Sequence, residues 1–382
     1  MQDLNILIVG AGVAGLTCAG LLQRKGFKPV IIEKEPEGKF NTSGYMLGLL
    51  PLGGRVLTEL DAGEEYFARS IQMEKYEIHK EDGSLNKSFS LDFINDDYGS
   101  YRGISRRALI EILLGKIDVS SIYYGTTVNT LRQNDNSVEV TFSDNSRQVF
   151  DLVIAADGMH SQIRRQMWKK DEYAYFDTNW GGWVAWLDSE PVNSYKEYWG
   201  ASSFMGLYPV KNQTGVFLGG PNEVAHEKGL HQFVWEIQSQ IRPEYPELHS
   251  ALEAFLKMEK PYFWEFHDCK TENWQKGNII LLGDSAAGFL PTAGVGASMA
   301  MDSASALADE LSRTDKNHLD YGLHLYVKRQ KSRVENAQKD SRNLARIMFV
   351  KSKVIAAVRD YALRFYSLKQ LASNINRTME GA

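Results

Sequence analysis

The sequence predicts a mixed α/β fold: a parallel sheet covered by helices, an antiparallel sheet inserted into it, and a helical C-terminal segment. Three observations carry this. Apolar strands ending in glycine-containing turns recur around residues 4–15, 151–158 and 278–284. An aromatic-rich stretch of alternating pattern lies between the second and the third. From residue 319 the pattern is helical, and the chain ends basic. At 382 residues the chain is long for one core, so two domains, or one with large insertions, are expected.

Residues 4–9 are nearly all apolar, as a parallel strand buried on both faces requires. Residues 10–15 then read G-x-G-x-x-G. A helix over 16–25 follows, stopped by Gly26. Residues 29–32 form the second strand, and Glu33 ends it, followed by Lys34. Gly10 permits the tight turn, Gly12 lets backbone approach a pyrophosphate, and Gly15, next to Ala14, lets helix and strand pack closely. The helix N-terminus offers unpaired N–H groups and a positive dipole to phosphates. Glu33 stands 18 residues after Gly15, where an acid accepts hydrogen bonds from a ribose hydroxyl. A lone glycine pattern is weak; with both strands, the helix and the acid it predicts an adenosine dinucleotide site. Glu33 disfavours a 2′-phosphate, as in NADP, at this site. The motif does not separate FAD from NAD.

Residues 137–150 read as a hairpin turning at Asp144-Asn145. The apolar strand 151–156 follows, then a turn at Asp157-Gly158 and a helix capped near Ser161. The third strand, 278–282, ends at Gly283-Asp284. Residues 291–297 (Pro-Thr-Ala-Gly-Val-Gly-Ala) lead into a helix over 298–311 whose N-terminus points its N–H groups at something electron-rich. Asp284 is placed to accept from polyol hydroxyls.

Taken together, these residues resemble the class A flavoprotein monooxygenases, the para-hydroxybenzoate hydroxylase superfamily. Three motifs recur there in this order: G-x-G-x-x-G with a downstream acid, D-G, and G-D followed by P-x-x-G-x-G. All three stand here, over roughly residues 4–330. The resemblance implies a Rossmann-like (GR2-type) FAD-binding domain from 1–70, 100–172 and 270–330. It implies a substrate domain from 71–99 and 173–269, and a helical segment over 331–382. It further implies that Arg106, or the less favoured Arg107, approaches the FAD linker. Asp157 would serve the pyrophosphate and NAD(P)H use, Asp284 the ribityl or ribose, and backbone at 292–296 the flavin N1/O2 edge. Cofactor contacts are thus expected at Gly10, Gly12, Ala14, Gly15, Glu33, Lys34, Arg106, Asp157, Asp284, Gly294, Val295 and Gly296, with Gly44-Tyr45 passing the other side of the ring. The family often carries a histidine three or four residues after the G-D aspartate; here Ala287 and Gly288 stand there, and no imidazole role carries over.

Residues 173–208 hold 11 aromatics in 36 positions, against 11% overall. Stretches 182–187 and 204–209 alternate as antiparallel strands do. In the resemblance this sheet is the substrate floor, and an apolar aromatic surface suits a flat organic molecule. Pocket candidates are Trp183, Trp199, Phe204, Tyr208, His267 and Pro291, although for each aromatic a core role is also open. His267-Asp268 reads as a proton relay or as a strand-end histidine with a partner. The spacing of Trp183 and Trp186 does not fit the W-x-W-x-I-P pattern of flavin-dependent halogenases.

The implied reaction is hydroxylation of an aromatic or polyketide-like small molecule. NAD(P)H reduces FAD, O₂ adds at the flavin C4a, and the adduct delivers one oxygen. This accounts for the lack of an obvious catalytic dyad or metal cluster, because the cofactor carries the chemistry. Alternatives are a tetracycline-inactivating monooxygenase, or a flavin-dependent reductase or dehydrogenase without oxygen insertion. No second dinucleotide motif and no C-x₄-C point to a disulfide reductase.

A net charge of −5 disfavours nucleic acid as partner. From residue 328 onward, however, 13 Lys and Arg face 4 Asp and Glu, leaving −14 on residues 1–327. Residues 319–378 read as two helices, the last alternating Val354, Val358, Tyr361, Ala362, Phe365 and Leu368 with Lys353, Arg359, Arg364 and Lys369. A helix packed across both domains with a solvated basic face is favoured over contact with an anionic membrane surface. Cys18 and Cys269 make neither a disulfide framework nor a metal site, which favours a reducing cytoplasm. No signal peptide and no membrane span are read from the sequence, and monomer and homodimer stay equally open.

Overall fold

The computed structural model describes residues 4–41, 44–190, 192–259 and 261–365. One layer is a six-stranded sheet in the order Gln275–Lys276, Ile279–Leu281, Leu152–Ala155, Ile6–Val9, Val30–Glu33, Ile122–Tyr124. All neighbours pair in parallel except the edge strand Gln275–Lys276. Ile6–Val9 and Leu152–Ala155 are buried along their whole length, which is why they read as unbroken apolar runs. Because the central strands are parallel and adjacent, the turns at Gly10, Asp157-Gly158 and Gly283-Asp284 leave one common carboxyl edge, where open α/β sheets bind ligands. The helices Val13–Arg24 and Gly296–Ser312 pack on each other beside this edge. The predicted hairpin is present as Val138–Phe142 and Arg147–Phe150, with Asn145 left-handed at its turn (φ +66°).

The second layer is a seven-stranded sheet in the order Phe263–Thr271, Tyr173–Asp188, Gln213–Pro221, Phe204–Val210, Ser194–Trp199, Lys75–Lys80, Leu85–Ser90. Only Ser194–Trp199 and Lys75–Lys80 pair in parallel. Side chains alternate between its faces. Trp183, Tyr198, Met205, Leu207, Val216 and Leu218 form an outer face under the helices Asn222–Gln240 and Pro246–Leu256. Trp199, Phe204, Phe217 and Tyr208 belong to the inner face. There, glycines make room for flat rings: a Cβ on Gly182 would strike the Phe217 ring, and one on Gly206 the Tyr208 ring.

The 30-residue helix Leu319–Met348 ties the layers together. Its first half packs Leu319, Leu323 and Tyr326 into the core of the six-stranded sheet, and its end packs Ala345 and Met348 against the inner face. A second helix, Lys353–Leu363, follows; Leu368 and Lys369 lie outside the described residues. Among the described residues no helix is long and apolar enough to cross a membrane.

Candidate functional site

The glycine turn is built by close approach. Gly10 holds φ +106° with its backbone against the Ala156 carbonyl, and a Cβ on Gly15 would collide with the Gly10 carbonyl. A Cβ on Gly12 would meet no protein atom within 4 Å, so the turn's outward side is open. Glu33 is buried behind the turn. Its Oε2 accepts from the Ala11 N–H at 2.9 Å and its Oε1 from the Glu35 N–H at 3.0 Å. The acid therefore fixes the turn's shape as well as ending its strand. The first and third motifs touch directly: Gly283 is left-handed (φ +66°), and a Cβ there would lie 2.8 Å from the Ala14 methyl.

Asp157 caps the helix Gln162–Met167, its Oδ2 accepting from the Gln162 and Ile163 N–H groups at 2.7 and 3.1 Å. Ser161 accepts from the Arg164 N–H, as its place before the helix predicts. The Asp157 Oδ1 is buried without a hydrogen-bond partner, and burial pushes this carboxyl above the usual range. Arg164 is a joint that the sequence does not reveal. It is fully buried and donates to the Ser285 and Met159 carbonyls and the Tyr175 hydroxyl at 2.6–2.8 Å, clamping the D-G turn to the G-D turn. Nothing local in the sequence marks an arginine as buried.

Asp284, Tyr45 and Arg106 share one neighbourhood. Burial raises the Tyr45 hydroxyl, the Arg106 guanidinium opposes this through charge and a hydrogen bond, and Asp284 adds to it. Asp284 is ringed by protein yet only partly shielded from solvent. Burial pushes its carboxyl up to about 6 against the pull of Arg164. Among the described residues this carboxylate takes no protein hydrogen bond, which suits an acceptor for ligand hydroxyls. Gly294 is left-handed (φ +61°), and the helix Gly296–Ser312 begins two residues later, after the buried Val295. The loop before it hangs on the long helix, with Gln338 Nε2 donating to the Gly288 carbonyl at 2.7 Å and the Thr292 hydroxyl to the Ser341 carbonyl at 2.8 Å. Pro291 is exposed at the loop's start.

Residues 44–46 lie over the inner face of the sheet. The Trp186 indole N–H donates to the Gly44 carbonyl at 3.4 Å, Tyr45 and Trp264 rings stand 5.3 Å apart, and Met46 covers Gly215. Beneath them is a buried carboxylate, Glu197, which accepts from the Tyr76 hydroxyl, the Tyr208 hydroxyl at 2.8 Å and the Trp199 indole at 2.9 Å. Burial pushes the Glu197 carboxyl upward and the three donors oppose it.

The pocket candidates separate accordingly. Tyr208 is on the inner face and partly exposed. Phe204 is on that face but buried against Phe217 and Phe349. Trp199 is buried outright between Glu197 and Arg359. Trp183 faces the other way, packed on Phe233 and Phe263; the tryptophan of matching parity is Trp186. The His267-Asp268 relay is not formed. Neighbours on a strand point to opposite faces, so His267 meets His160 (ring centroids 5.1 Å apart) while Asp268 takes a bidentate pair from Arg342 at 2.6 and 2.7 Å. Burial, His267, Arg165, Arg164 and Lys34 all hold His160 below its ordinary value, which puts Lys34 and His267 beside the D-G turn rather than the sheet floor.

Known proteins share this fold. The family description "FAD binding domain" matches residues 3–341. A flavin-dependent monooxygenase of Legionella longbeachae is 28% identical over 333 residues, covering 83% of this chain and 82% of its own. The FAD-dependent monooxygenase janM of Penicillium janthinellum is 27% identical, covering 90% of this chain and 77% of its own. Klebsiella pneumoniae HpxO, solved with FAD and uric acid, superposes with a TM-score of 0.87 over 100% of this chain and 98% of its own at 21% identity. Pseudomonas aeruginosa PqsL with 2-aminobenzoylacetate gives 0.80 over 93% and 99% at 21% identity, and the tetracycline destructase Tet(51) gives 0.74 over 99% of both chains at 21% identity. With the three motifs on one sheet edge and the family description spanning them, the chain belongs to the FAD-binding-domain family, in which the relatives named above are flavin-dependent monooxygenases.

Proposed function

We propose that this enzyme uses NAD(P)H and O₂ to hydroxylate a flat aromatic or polyketide-like molecule held against the inner face of the seven-stranded sheet. The observation that carries the reading is the meeting of Tyr45, Arg106 and Asp284 with the aromatic inner face under residues 44–46. FAD, when bound, supplies the electron transfer and the activation of O₂. The chain supplies the rest. The open side of Gly12 and the start of the helix Val13–Arg24 receive a pyrophosphate, with Gly10, Ala14, Gly15 and Glu33 fixing that geometry. Asp284 accepts from hydroxyls, and Arg106 lies at the same place. The N-terminus of Gly296–Ser312, entered through Gly294 and Val295, favours negative charge beside it. Asp157 and Lys34 lie at the D-G turn, the part of the site we assign to phosphate and nicotinamide traffic.

Tyr208 orients substrate. Its proton is committed to Glu197, so its oxygen presents lone pairs to a donor, such as a phenol or ring N–H. Trp186, Trp264 and Met46 keep water from the face. The uric acid complex of HpxO and the 2-aminobenzoylacetate complex of PqsL support a flat, donor-bearing substrate class. The test is a screen of such compounds for stimulation of NAD(P)H oxidation, with ¹⁸O₂ incorporation read by mass spectrometry. Stimulation without incorporation overturns hydroxylation in favour of a reductase.

A further inference from the structure

The helix Lys353–Leu363 is turned opposite to what its sequence predicts. The sequence predicts a solvated basic face and a packed apolar face. Instead Arg359 is the buried residue, 7% exposed, donating to the Trp199 and Met348 carbonyls at 2.6 and 3.1 Å and pairing with Asp360. Asn86 and Lys87 donate to the carbonyls of Asp360 and Arg364. The helix is thus pinned to the substrate sheet by polar bonds along its inner side, with Ala356 and Leu363 beneath. Outward point Val354 (75% exposed), Val358 (63%), Tyr361 (64%) and Phe365 (72%). Their spacing of i, i+4, i+7 and i+11 puts them on one stripe, and the rings of Tyr361 and Phe365 touch at 5.4 Å. A contiguous exposed apolar stripe is the kind of surface that marks a contact site.

We propose that this stripe docks the enzyme on an anionic phospholipid surface. Charge selects the occupant. Lys351, Lys353 and Arg364 are exposed around the stripe, and the acids near it are engaged, Asp360 with Arg359 and Glu81 with the Ala201 N–H. Residues 366–382 add Lys369 and Arg377 against Glu380, so this end of the chain is positive while the remainder is strongly negative. A second copy brought stripe to stripe meets the same positive rim, and residues 366–382 folded back bring more positive charge to it. An anionic bilayer answers both the apolar stripe and the basic rim, as interfacial helices do. Leu363 lies in the same apolar cluster as Phe204 and Phe217, so docking brings the inner face of the substrate sheet close to the lipid. Apolar substrates dissolved in the bilayer would reach it from there. The docking stands on the helix alone and does not depend on the oxygenation reading.

Co-sedimentation of the full-length flavin-loaded protein with vesicles tests this. Binding is expected to phosphatidylcholine vesicles containing phosphatidylglycerol, weakening with salt, and not to phosphatidylcholine alone. Val358→Asp with Phe365→Asp should lower binding by about tenfold or more, and Lys353→Glu with Arg364→Glu should do likewise. Flavin content and circular dichroism should not change in either pair, because all four side chains are largely exposed and none is packed into the core. No binding to the anionic vesicles overturns the proposal. So does undiminished binding by the Asp variant, or a concentration-dependent dimer that the Asp variant loses.

Discussion

Tyr208 donates its hydroxyl hydrogen to Glu197 at 2.8 Å, its ring lying over the bare backbone of Gly206. Glu197 takes two further donors, Tyr76 and Trp199, so all three protons point at one buried carboxylate. Replacing it with Gln keeps the volume but leaves one acceptor oxygen and adds two N–H donors. At least one tyrosine must then reverse its bond. Glu197→Gln is expected to cost about 1–3 kcal/mol in urea denaturation. It should also raise KM for a donor-bearing substrate several-fold, with FAD content unchanged. Tyr208→Phe should reproduce the KM effect with less loss of stability. If KM for the hydroxylated substrate is unmoved in both variants, the carboxylate serves only the core.

Asp284 gives a pH signature to the flavin-free protein. Its folded carboxyl is held at about 6 by burial, while an unfolded aspartate titrates near 4. Between these values the folded chain holds a proton that the unfolded chain has released. The group's contribution to stability is therefore fully present below about pH 4 and lost as pH rises past about 6. Asp284→Asn should flatten that interval in thermal melts of apoprotein and raise stability at pH 7. It should also weaken FAD binding by about tenfold, since the amide offers one acceptor oxygen in place of two. A melt profile identical to the parent's would remove Asp284 from this role.

What was legible in the sequence is what depends on neighbours in the chain. The strand, glycine turn and helix at 6–24 need only local geometry and an apolar run, and the D-G and G-D turns follow the same logic. What was not legible depends on distant partners. Which face Trp183 and Trp186 take is set beyond a register irregularity between Asp177 and Gly181, where Asn179 turns left-handed, so counting from the N-terminal end of the strand does not reveal it. Arg164 and Arg359 are buried because carbonyls more than 100 residues away receive them. Glu197 reads as an ordinary strand residue until three aromatic donors are folded onto it.

The glycine turns make different demands, and substitution separates them. A side chain at Gly12 meets no protein atom, so Gly12→Val should leave the fold intact and act only by filling the space assigned to the pyrophosphate. Loss of yellow flavin, with the melting curve of the flavin-free variant matching that of the flavin-free parent, is the expected result. Gly283→Ala should instead destabilise by about 1–3 kcal/mol, from a left-handed backbone and from overlap with Ala14. Full flavin retention in Gly12→Val would move the cofactor away from this turn.

Arg342 and Asp268 form a bidentate, buried ion pair between the long C-terminal helix and the strand that His267 shares, beside the Gln338 bond to the Cys269 carbonyl and the Lys270–Glu335 pair. The Asp268 side chain is wholly buried, and its carboxyl stays above the ordinary range from burial even with the guanidinium beside it. Arg342→Met removes the partner and strands that charge, which costs about 3–5 kcal/mol for a buried pair. The deficit should shrink in acid. A carboxyl raised in the folded state adds stability below its unfolded value and loses it as pH rises, and without Arg342 the rise is larger. Measured in urea, the gap between variant and parent should therefore be smaller at pH 4 than at pH 7. Asp268→Asn combined with Arg342→Met should recover most of the loss, because neither partner is then charged. His267→Ala, on the opposite face of the strand, should leave stability within about 0.5 kcal/mol of the parent. If instead His267→Ala couples to Arg342→Met in a double-mutant cycle, the two faces act as one unit and the separation of histidine from aspartate drawn above fails.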